Sequence, residues 1–227
     1  MHPTAVDNAR RFFETYLPDG TGRTIVEIGA GGAGTSLRSL CPAGARYVAA
    51  DIAAGGGIDV VMEDPYRLPF DDGSVDACLA SSVLEHVEFF WLLFEEVLRV
   101  LRPEGLFYLN VPSNGPFHRH PVDCWRFYPD SGRALAAWGR RRGYDPVLLE
   151  SFVAWQRAER WNDFVAVFVR DASRALQHPW RIADRHPDAA NVLLHGTNEF
   201  RNLRNLPEDL MRLEAIRGIA AGTIGIR

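Results

Sequence analysis

Short apolar runs alternate with stretches of helical spacing through the first 170 residues of the chain. The apolar runs are rich in β-branched residues, which favour strands. Residues 88–101 have the clearest helical spacing, because apolar side chains recur there every three or four positions. Such alternation is typical of a mostly parallel sheet with helices on both faces. The predicted strands are 24–28, 46–50, 58–62, 75–80, 105–111, 147–154 and 163–169, and the predicted helices are 6–17, 35–40, 88–101, 131–142 and 208–219.

Residues 171–227 differ from the rest of the chain, since they are rich in Arg, Asn and His and their charges nearly balance. We therefore predict an α/β domain at residues 1–170 and a C-terminal helical extension at residues 171–227. The extension either packs on the domain or pairs two subunits, or it closes over an acceptor site as a lid. The composition favours the first interpretation, which allows a homodimer.

Three glycines follow the first predicted strand, at Gly29, Gly31 and Gly34, and Asp51 ends the second strand. Glycine lets the backbone turn sharply and approach a ligand closely. A helix start after such a turn points its amides at the ligand, and a carboxylate about 20 residues further on accepts hydrogen bonds from ribose hydroxyls. The pattern indicates an adenosine-containing cofactor, either a nicotinamide dinucleotide or a sulfonium compound. Glu27 favours the second, because an anion buried there suits a cofactor with a cationic amino-acid tail.

The composition narrows the function further. The 227 residues are 47% hydrophobic and 24% charged, which is ordinary for a globular protein, and the net charge of -4 gives no support for nucleic-acid binding. No apolar run approaches the ~20 residues of a membrane span, and the N-terminus lacks the apolar core of a signal peptide, so we expect a cytoplasmic protein without membrane contact. All 25 basic residues are arginine, which excludes lysine chemistry such as a Schiff base. Cys41, Cys78 and Cys124 are too few and too widely spaced to indicate a disulfide framework or a zinc site.

The run IVEIGAGGAG at residues 25–34 resembles the first motif of class I S-adenosylmethionine-dependent methyltransferases. The resemblance continues through YVAADI, EDPYRLPFDDGSVDACLASSVLEHV and EEVLRVLRPEGLFYLNVPS, in the family's order and spacing, over residues 24–113. It implies a Rossmann-like, doubly wound sheet of seven strands, S-adenosylmethionine as cofactor, and methyl transfer as the reaction. Dehydrogenases do not share the last three motifs. The spacing departs from the family at Ala33, where the third glycine commonly lies.

The resemblance also implies a role for each matched position beside the cofactor. The first motif would contact the methionine half, and the end of the second strand would contact the ribose and adenine. The third motif would meet the adenine amino group, and the end of the fourth strand would lie beneath the sulfonium. In that order, the residues implied are Glu27, Gly29, Ala30 and Gly31; Asp51 and Ile52; Asp64, Pro65 and Tyr66; and Ser81.

A base near the transferred methyl group separates the acceptor classes, because an alcohol must lose a proton as it attacks and a carboxylate need not. Two places offer one, namely Glu85-His86 after the fourth strand and the loop at residues 116–129 after the fifth. The loop mixes histidines and charged residues with aromatics, which suits a sugar or another polyhydroxylated acceptor. The predicted catalytic residues are His118, His120 and His86, and the predicted acceptor contacts are Asp123, Trp125, Arg126 and Tyr128.

The loop also resembles a stretch in methyltransferases of bacterial glycan and sugar biosynthesis. The use of arginine without lysine resembles the composition of actinobacterial proteins. This resemblance implies O-methylation of a small-molecule sugar or an oligosaccharide in polysaccharide biosynthesis. Some enzymes of that group need Mg²⁺, although histidine is a poor ligand for this ion. A metal site would draw on Glu85, His86, His118, His120 and Asp123. The alternatives are transfer to a natural-product phenol or carboxylate, and a non-catalytic subunit that binds S-adenosylmethionine.

Overall fold

One β-sheet of eight strands crosses the part of the chain that this computed structural model describes, namely residues 2–31, 36–155, 161–205 and 208–225. In chain order the strands are β1 Thr24–Ile28, β2 Arg46–Asp51, β3 Val60–Val61, β4 Val75–Ser81, β5 Leu101–Pro112, β6 Val147–Ala154, β7 Asp163–Val169 and β8 Ala189–Leu194. Their spatial order is β3-β2-β1-β4-β5-β7-β6-β8. Neighbours from β3 to β5 are parallel, whereas β7 is antiparallel to β5 and β6, and β8 is antiparallel to β6.

The strand order changes direction between β1 and β4, and this switch fixes the place of the site. In an open parallel sheet, ligands bind outside the carboxyl ends of the strands at such a switch point. β1, β2 and β4 end there at Ile28, Asp51 and Ser81. The glycine turn and the segment after β4 therefore meet at one edge of the sheet, as the sequence predicts.

Helices cover both faces of the sheet and bury an apolar layer on each. On one face α1 contributes Phe12 and Phe13, and on the other α2 and α3 contribute Phe94 and Leu135. Within the described ranges, no helix combines the length and apolar character needed to cross a bilayer. The helices are α1 Pro3–Tyr16, α2 Phe90–Val100, α3 Ser131–Arg141 and α4 Glu208–Ala220, and single 3₁₀ turns occupy Leu37–Leu40, Leu84–His86, Ala172–Gln177 and Ile182–Asp184.

The predicted elements are present in the predicted order with small shifts of their bounds, and three of them differ most. The strand predicted at 58–62 keeps only two residues, since three glycines precede it and an Asp64-Pro65 turn follows it. β5 begins at Leu101, four residues early, because Leu101 pairs with Val75 of β4. The helix predicted at 35–40 is a single 3₁₀ turn followed by Pro42, and its first residue lies outside the described residues.

The predicted count of seven strands is wrong, because the C-terminal extension supplies an eighth. β8 pairs with β6 and closes that edge of the sheet, so the extension is not purely helical. Asn191 interrupts the apolar run of β8 and adopts a positive φ of 50°, opposite an irregularity between Ser151 and Val153. A polar residue within the apolar run removes the alternation that identifies a strand in the sequence. Its left-handed conformation also departs from regular strand geometry.

A buried carboxylate joins the extension to the body of the domain. Glu150 of β6 accepts hydrogen bonds from the Tyr16 hydroxyl of α1 at 2.6 Å and from the amides of Ile182 and Ala183 at 2.7 and 2.9 Å. Its side chain is fully buried, and burial raises the pKa of Glu150 above its ordinary value. Three donors from two separate segments therefore converge on one strand and fix where the extension leaves β6.

Replacing Glu150 by Ala should destabilise the protein, because a phenol and two amides would lose their buried acceptor together. We expect a loss of about 3 kcal/mol in the free energy of unfolding, measured by urea denaturation. Glu104→Ala, at an exposed position of β5, is the matched control and should change this free energy by less than about 0.5 kcal/mol. Equal stability of the two variants would contradict the role given to Glu150.

Candidate cofactor and acceptor site

A cavity of about 520 Å³ opens at the carboxyl edge of the sheet, beside the switch between β1 and β4. Its walls come from the glycine turn, the ends of β1 and β2, the segment after β3, the segment after β4 and the loop after β5. Eight residues singled out in the sequence line it, namely Gly29, Gly31, Asp51, Ile52, Pro65, Tyr66, His86 and His120. The fold thus brings six of the ten predicted cofactor positions and two of the three predicted catalytic histidines to one cavity.

The glycine turn needs glycine at two described positions. Gly29 has a φ of 73°, and a Cβ there would collide with the Val83 side chain. A Cβ at Gly31 would lie 3.0 Å from the Asp51 carboxylate, which is tighter than ordinary van der Waals contact. These constraints explain why the backbone comes so close to the end of β2. Residues 32–35, which include Ala33 and Gly34, lie outside the described residues.

Asp51 occupies the floor of the cavity and ties two loops together. Its Oδ2 accepts from the Gly31 amide at 2.8 Å, and its Oδ1 accepts from the Ala53 amide at 2.9 Å. Ile52 beside it is 52% exposed, so a flat apolar surface adjoins a fixed carboxylate. That combination suits a nucleoside, with the ribose on the carboxylate and the base on the aliphatic side chain.

Glu27 is fully engaged by the protein itself. The Tyr47 hydroxyl donates to it at 2.9 Å, the Leu37 amide donates at 3.0 Å, and the Ser36 hydroxyl completes the set. Burial and the adjacent carboxylate raise the pKa of Tyr47, which keeps the phenol protonated and able to donate. The buried carboxylate of Glu27 therefore has hydrogen-bond donors from the chain itself. Its predicted contact with the methionine half stays a prediction.

Three other predicted cofactor residues lie around the cavity without lining it. The Ala30 amide donates to the Ala50 carbonyl at 3.3 Å, within the glycine turn. Asp64 is exposed and accepts from the Tyr66 amide at 2.8 Å, so it shapes the turn after β3. Ser81 ends β4, and its buried hydroxyl has no hydrogen-bond partner among the described residues. Of the three, Ser81 alone presents a side-chain group that the chain leaves unused.

The loop after β5 is held in shape by an internal ion pair. Arg126 binds both oxygens of Asp123, at 2.6 and 2.9 Å, and the His118 amide donates to the same carboxylate at 2.7 Å. Hydrogen bonds from Arg126 lower the pKa of Asp123 to about 2. Arg126 also donates to the Pro116 carbonyl at 2.8 Å. Asp123 and Arg126 are thus engaged with the loop itself.

The same loop is docked on the segment after β4. The Cys124 amide donates to the Glu85 carbonyl at 2.8 Å, and the Trp125 indole donates to the Val87 carbonyl at 3.0 Å. This docking turns only His120, Pro121 and Val122 of the loop toward the cavity. None of the predicted acceptor contacts lines that cavity: Asp123 and Arg126 hold the loop, Trp125 packs on Phe90, and Tyr128 is exposed elsewhere.

Behind the cavity wall, two histidines and a glutamate form a cluster. Glu85 is 1% exposed, its Oε1 lies 3.7 Å from Nε2 of His86, and burial raises its pKa to about 8. The rings of His86 and His118 meet edge to face at 4.9 Å. One potential ligand atom from each of Glu85, His86 and His118 lies within 4.8 Å of the other two. His120 and Asp123, the other predicted metal ligands, are not part of this group.

The cluster does not fit Mg²⁺. This ion prefers six oxygen ligands in an octahedron and usually keeps several waters, whereas two of the three donors here are imidazole nitrogens. The tentative expectation of Mg²⁺ therefore gains no support from the geometry.

Comparison with known proteins identifies the part of the chain that carries these motifs. Residues 26–109 match the family model described as "Methyltransferase domain". The chain is 38% identical over 135 residues to a protein of Mycobacterium marinum named "Uncharacterized methyltransferase", a match that covers 54% of this chain and 52% of that protein. The chain thus spans about half the length of the curated relatives it matches.

Solved structures share the fold of this chain. A Burkholderia thailandensis 1,6-didemethyltoxoflavin-N1-methyltransferase with bound 1,6-didemethyltoxoflavin and S-adenosylhomocysteine gives a TM-score of 0.55 at 19% identity, covering 74% of this chain and 78% of that chain. The [4+2]-cyclase SpnF gives 0.55 at 13% identity, covering 73% and 81%. The prediction of a Rossmann-like methyltransferase fold is confirmed by these structures. The match to the family model agrees with the prediction of S-adenosylmethionine as cofactor. The cyclase also illustrates that this fold alone does not set the reaction.

Sequence reasoning missed several residues that line the cavity, including Met62, Ser82, Val83, Pro121 and Val122. Ser82 has a φ of 58°, which is unusual for a serine and turns the chain sharply at the end of β4. Nothing in the local pattern marks it, although its place directly after a buried strand is a usable signal. Pro121 and Val122 belong to the loop at residues 116–129, but its composition points to the polar and aromatic side chains as the contacts rather than to these two residues.

Replacing Asp51 by Ala should weaken binding of S-adenosylhomocysteine. The carboxylate that contacts the ligand would be lost, and the Gly31 amide would lose the acceptor that holds it in place. A charged hydrogen bond is worth roughly 1.5–3 kcal/mol, so we expect the Kd from calorimetry to rise roughly 10- to 100-fold. Asp71→Ala, an exposed position away from the cavity, serves as control and should leave the Kd unchanged. An unaltered Kd in the Asp51 variant would remove Asp51 from the cofactor site.

Proposed function

We propose that this protein transfers a methyl group from S-adenosylmethionine to a hydroxyl of a sugar or glycan. The observation that carries the proposal is the layout of the cavity. Asp51 and Ile52 form a nucleoside surface at one side, and His120 and His86 stand in the same cavity. A hydroxyl acceptor needs a base beside the reacting carbon, and this arrangement supplies imidazoles for that purpose.

The chain's own residues would act mainly by positioning. When bound, S-adenosylmethionine supplies an activated methyl group, and displacement is in line, so the acceptor oxygen must be held opposite the sulfur. Asp51, Gly29 and Gly31 would fix the nucleoside half at the switch point. Ser81 offers its unpartnered hydroxyl at the end of β4. The loop segment at 120–122 would form the opposite wall and exclude water from the reacting atoms.

Among the three candidate bases, His120 has the most suitable position. It is exposed and lines the cavity, so its ring is free to take a proton from an acceptor and pass it to solvent. His86 also lines the cavity, but its Nδ1 is bonded to the Val122 carbonyl and its Nε2 faces Glu85. His118 lies behind the wall, with Nδ1 3.4 Å from the Asp123 carboxylate. We therefore assign the base to His120, with His86 and His118 as supporting residues.

The acceptor class rests on the character of the wall and on the resemblance of the loop. Tyr66 lines the cavity and packs against Phe89, at 5.8 Å between ring centroids, which gives an aromatic surface of the kind that sugar rings contact. A phenol would use the same aromatic surface and the same base. A carboxylate acceptor would not need the base, so it is the weaker alternative. The extension at 171–227 would serve as a packing or dimer element.

Replacing His120 by Ala should remove turnover and leave cofactor binding intact. General-base catalysis is worth roughly 10²- to 10⁴-fold in rate, so kcat should fall by about that factor. Release of S-adenosylhomocysteine, measured over a panel of monosaccharides and oligosaccharides, reports turnover, and calorimetry reports cofactor binding. His195→Ala, at an exposed position outside the cavity, is the matched control.

Each other result of this experiment counts against a part of the proposal. An unchanged kcat in the His120 variant would reject His120 as the base. Methylation of phenols or carboxylates with no activity on any sugar would reject the acceptor class. Tight cofactor binding with no product from any acceptor would favour a non-catalytic subunit. Stabilisation by NAD(H) without stabilisation by S-adenosylmethionine would reject the cofactor.

A further inference from the structure

We propose that Glu85, His86 and His118 form a binding site for a divalent transition-metal ion of the Fe²⁺ to Zn²⁺ series. The three residues come from two segments, the turn after β4 and the loop after β5. Their potential ligand atoms already lie within 4.8 Å of one another. Ligand atoms around a bound ion of this series lie about 3.4 Å apart, given metal–ligand bonds of about 2.1 Å. Side-chain rotations would therefore close the site without moving the backbone.

Both histidines are oriented for ligation by groups behind them. Nδ1 of His86 is bonded to the Val122 carbonyl, so it must donate, which leaves Nε2 as the free lone pair on the side of Glu85. Nδ1 of His118 lies 3.4 Å from Asp123 Oδ2, 3.3 Å from the Pro116 carbonyl and 3.4 Å from Arg126 Nη2, so three groups of the loop hold this nitrogen. A histidine that binds a metal commonly has its other nitrogen held by a carbonyl or carboxylate in this way. The ring orientations thus have a physical cause that does not depend on a ligand.

The charge around the cluster also favours a cation. Glu85 Oε2 is buried and has no hydrogen-bond partner among the described residues, and the same holds for Oδ2 of the nearby Asp163. Positive groups face them as well, since Arg126 lies near Glu85 and His2 lies 3.2 Å from Asp163 Oδ1. Nη1 and Nη2 of Arg126 are bonded to Asp123, and its buried Nε has no hydrogen-bond partner among the described residues, so Arg126 makes no hydrogen bond to Glu85. A divalent ion would give the buried Glu85 carboxylate the partner that the chain does not provide.

The donor set selects the class of ion. Two imidazole nitrogens and one carboxylate oxygen suit Fe²⁺, Co²⁺, Ni²⁺ or Zn²⁺, whereas Mg²⁺ and Ca²⁺ prefer oxygen alone. Three protein ligands leave a coordination position open, as in metal sites that bind water or substrate. His86 also lines the main cavity, so the open position would lie next to the acceptor of the proposed function. Metal binding itself does not rest on that function and is measured without cofactor or acceptor.

The experiment uses the full-length chain without a histidine tag, stripped with a chelator and dialysed. Titration with Co²⁺ should give visible d–d absorption that saturates at one ion per chain, and Zn²⁺ should displace it. His118→Gln and Glu85→Gln should each weaken Co²⁺ binding by more than the roughly 10- to 100-fold expected for loss of a residue behind the ligands. His195→Gln and His120→Gln, which leave the three ligands intact, should bind as the unmodified chain does. Thermal melting of each variant reports whether it is folded, and S-adenosylhomocysteine affinity reports the cofactor site separately.

The outcomes separate a built site from adventitious binding. Stoichiometric Co²⁺ that is lost in the His118 and Glu85 variants, while both still melt cooperatively, supports the site. If the Glu85 variant fails to fold, the His118 variant decides alone, because that side chain is partly exposed. Absence of saturable Co²⁺ and Zn²⁺ binding, or binding that persists in the His118 variant, would overturn the proposal. Absence of saturable metal binding together with normal S-adenosylhomocysteine affinity would overturn the metal site while leaving the proposed function intact.

Discussion

A carboxylate buried between this sheet and its covering elements must be hydrogen-bonded or paired, because a bare anion is very costly to remove from water. Glu27 meets this condition through donors from the 3₁₀ turn at Leu37–Leu40 and from β2, and Glu150 meets it through donors from α1 and the extension. Glu96 is held by Arg99 and the Leu68 amide. Each of these carboxylates therefore joins segments that are distant in sequence, and the architecture depends on these junctions.

Two buried carboxylates meet that rule only in part, and both adjoin the candidate site. Glu85 and Asp163 each keep one oxygen without a hydrogen-bond partner among the described residues. Ser81 and Asn110, paired across β4 and β5, also have unpartnered polar atoms there. Unsatisfied groups of this kind are rare in native proteins and concentrate where a ligand completes the set. The chain's own donors thus satisfy the carboxylates at the junctions, whereas these polar atoms at the edge of the site have no hydrogen-bond partner among the described residues.

The order of the elements could be predicted from the sequence because it depends on local periodicity, which the chain displays clearly from β1 to β7. What escaped prediction depends on contacts between distant segments. β8 was missed because Asn191 breaks its apolar run, and only pairing with β6 makes that segment a strand. The early start of β5 likewise depends on its partner, since Leu101 is extended where it meets Val75.

The candidate site likewise combines residues that the local sequence predicts with residues that only contacts between distant segments bring into place. Asp51, Gly29 and Gly31 follow from strand ends and turn geometry, which local sequence encodes, and the structure places all three on the cavity. The composition of the loop at residues 116–129 does not show which of its side chains point to the cavity. The hydrogen bonds that dock the loop on the Glu85 carbonyl decide this. Once the Asp123–Arg126 pair closes the loop on itself, these two charged residues hold its shape, and His120, Pro121 and Val122 line the cavity. In such a loop, the most polar residues are therefore poor guides to the contact surface, and the residues between the fixed points are better ones.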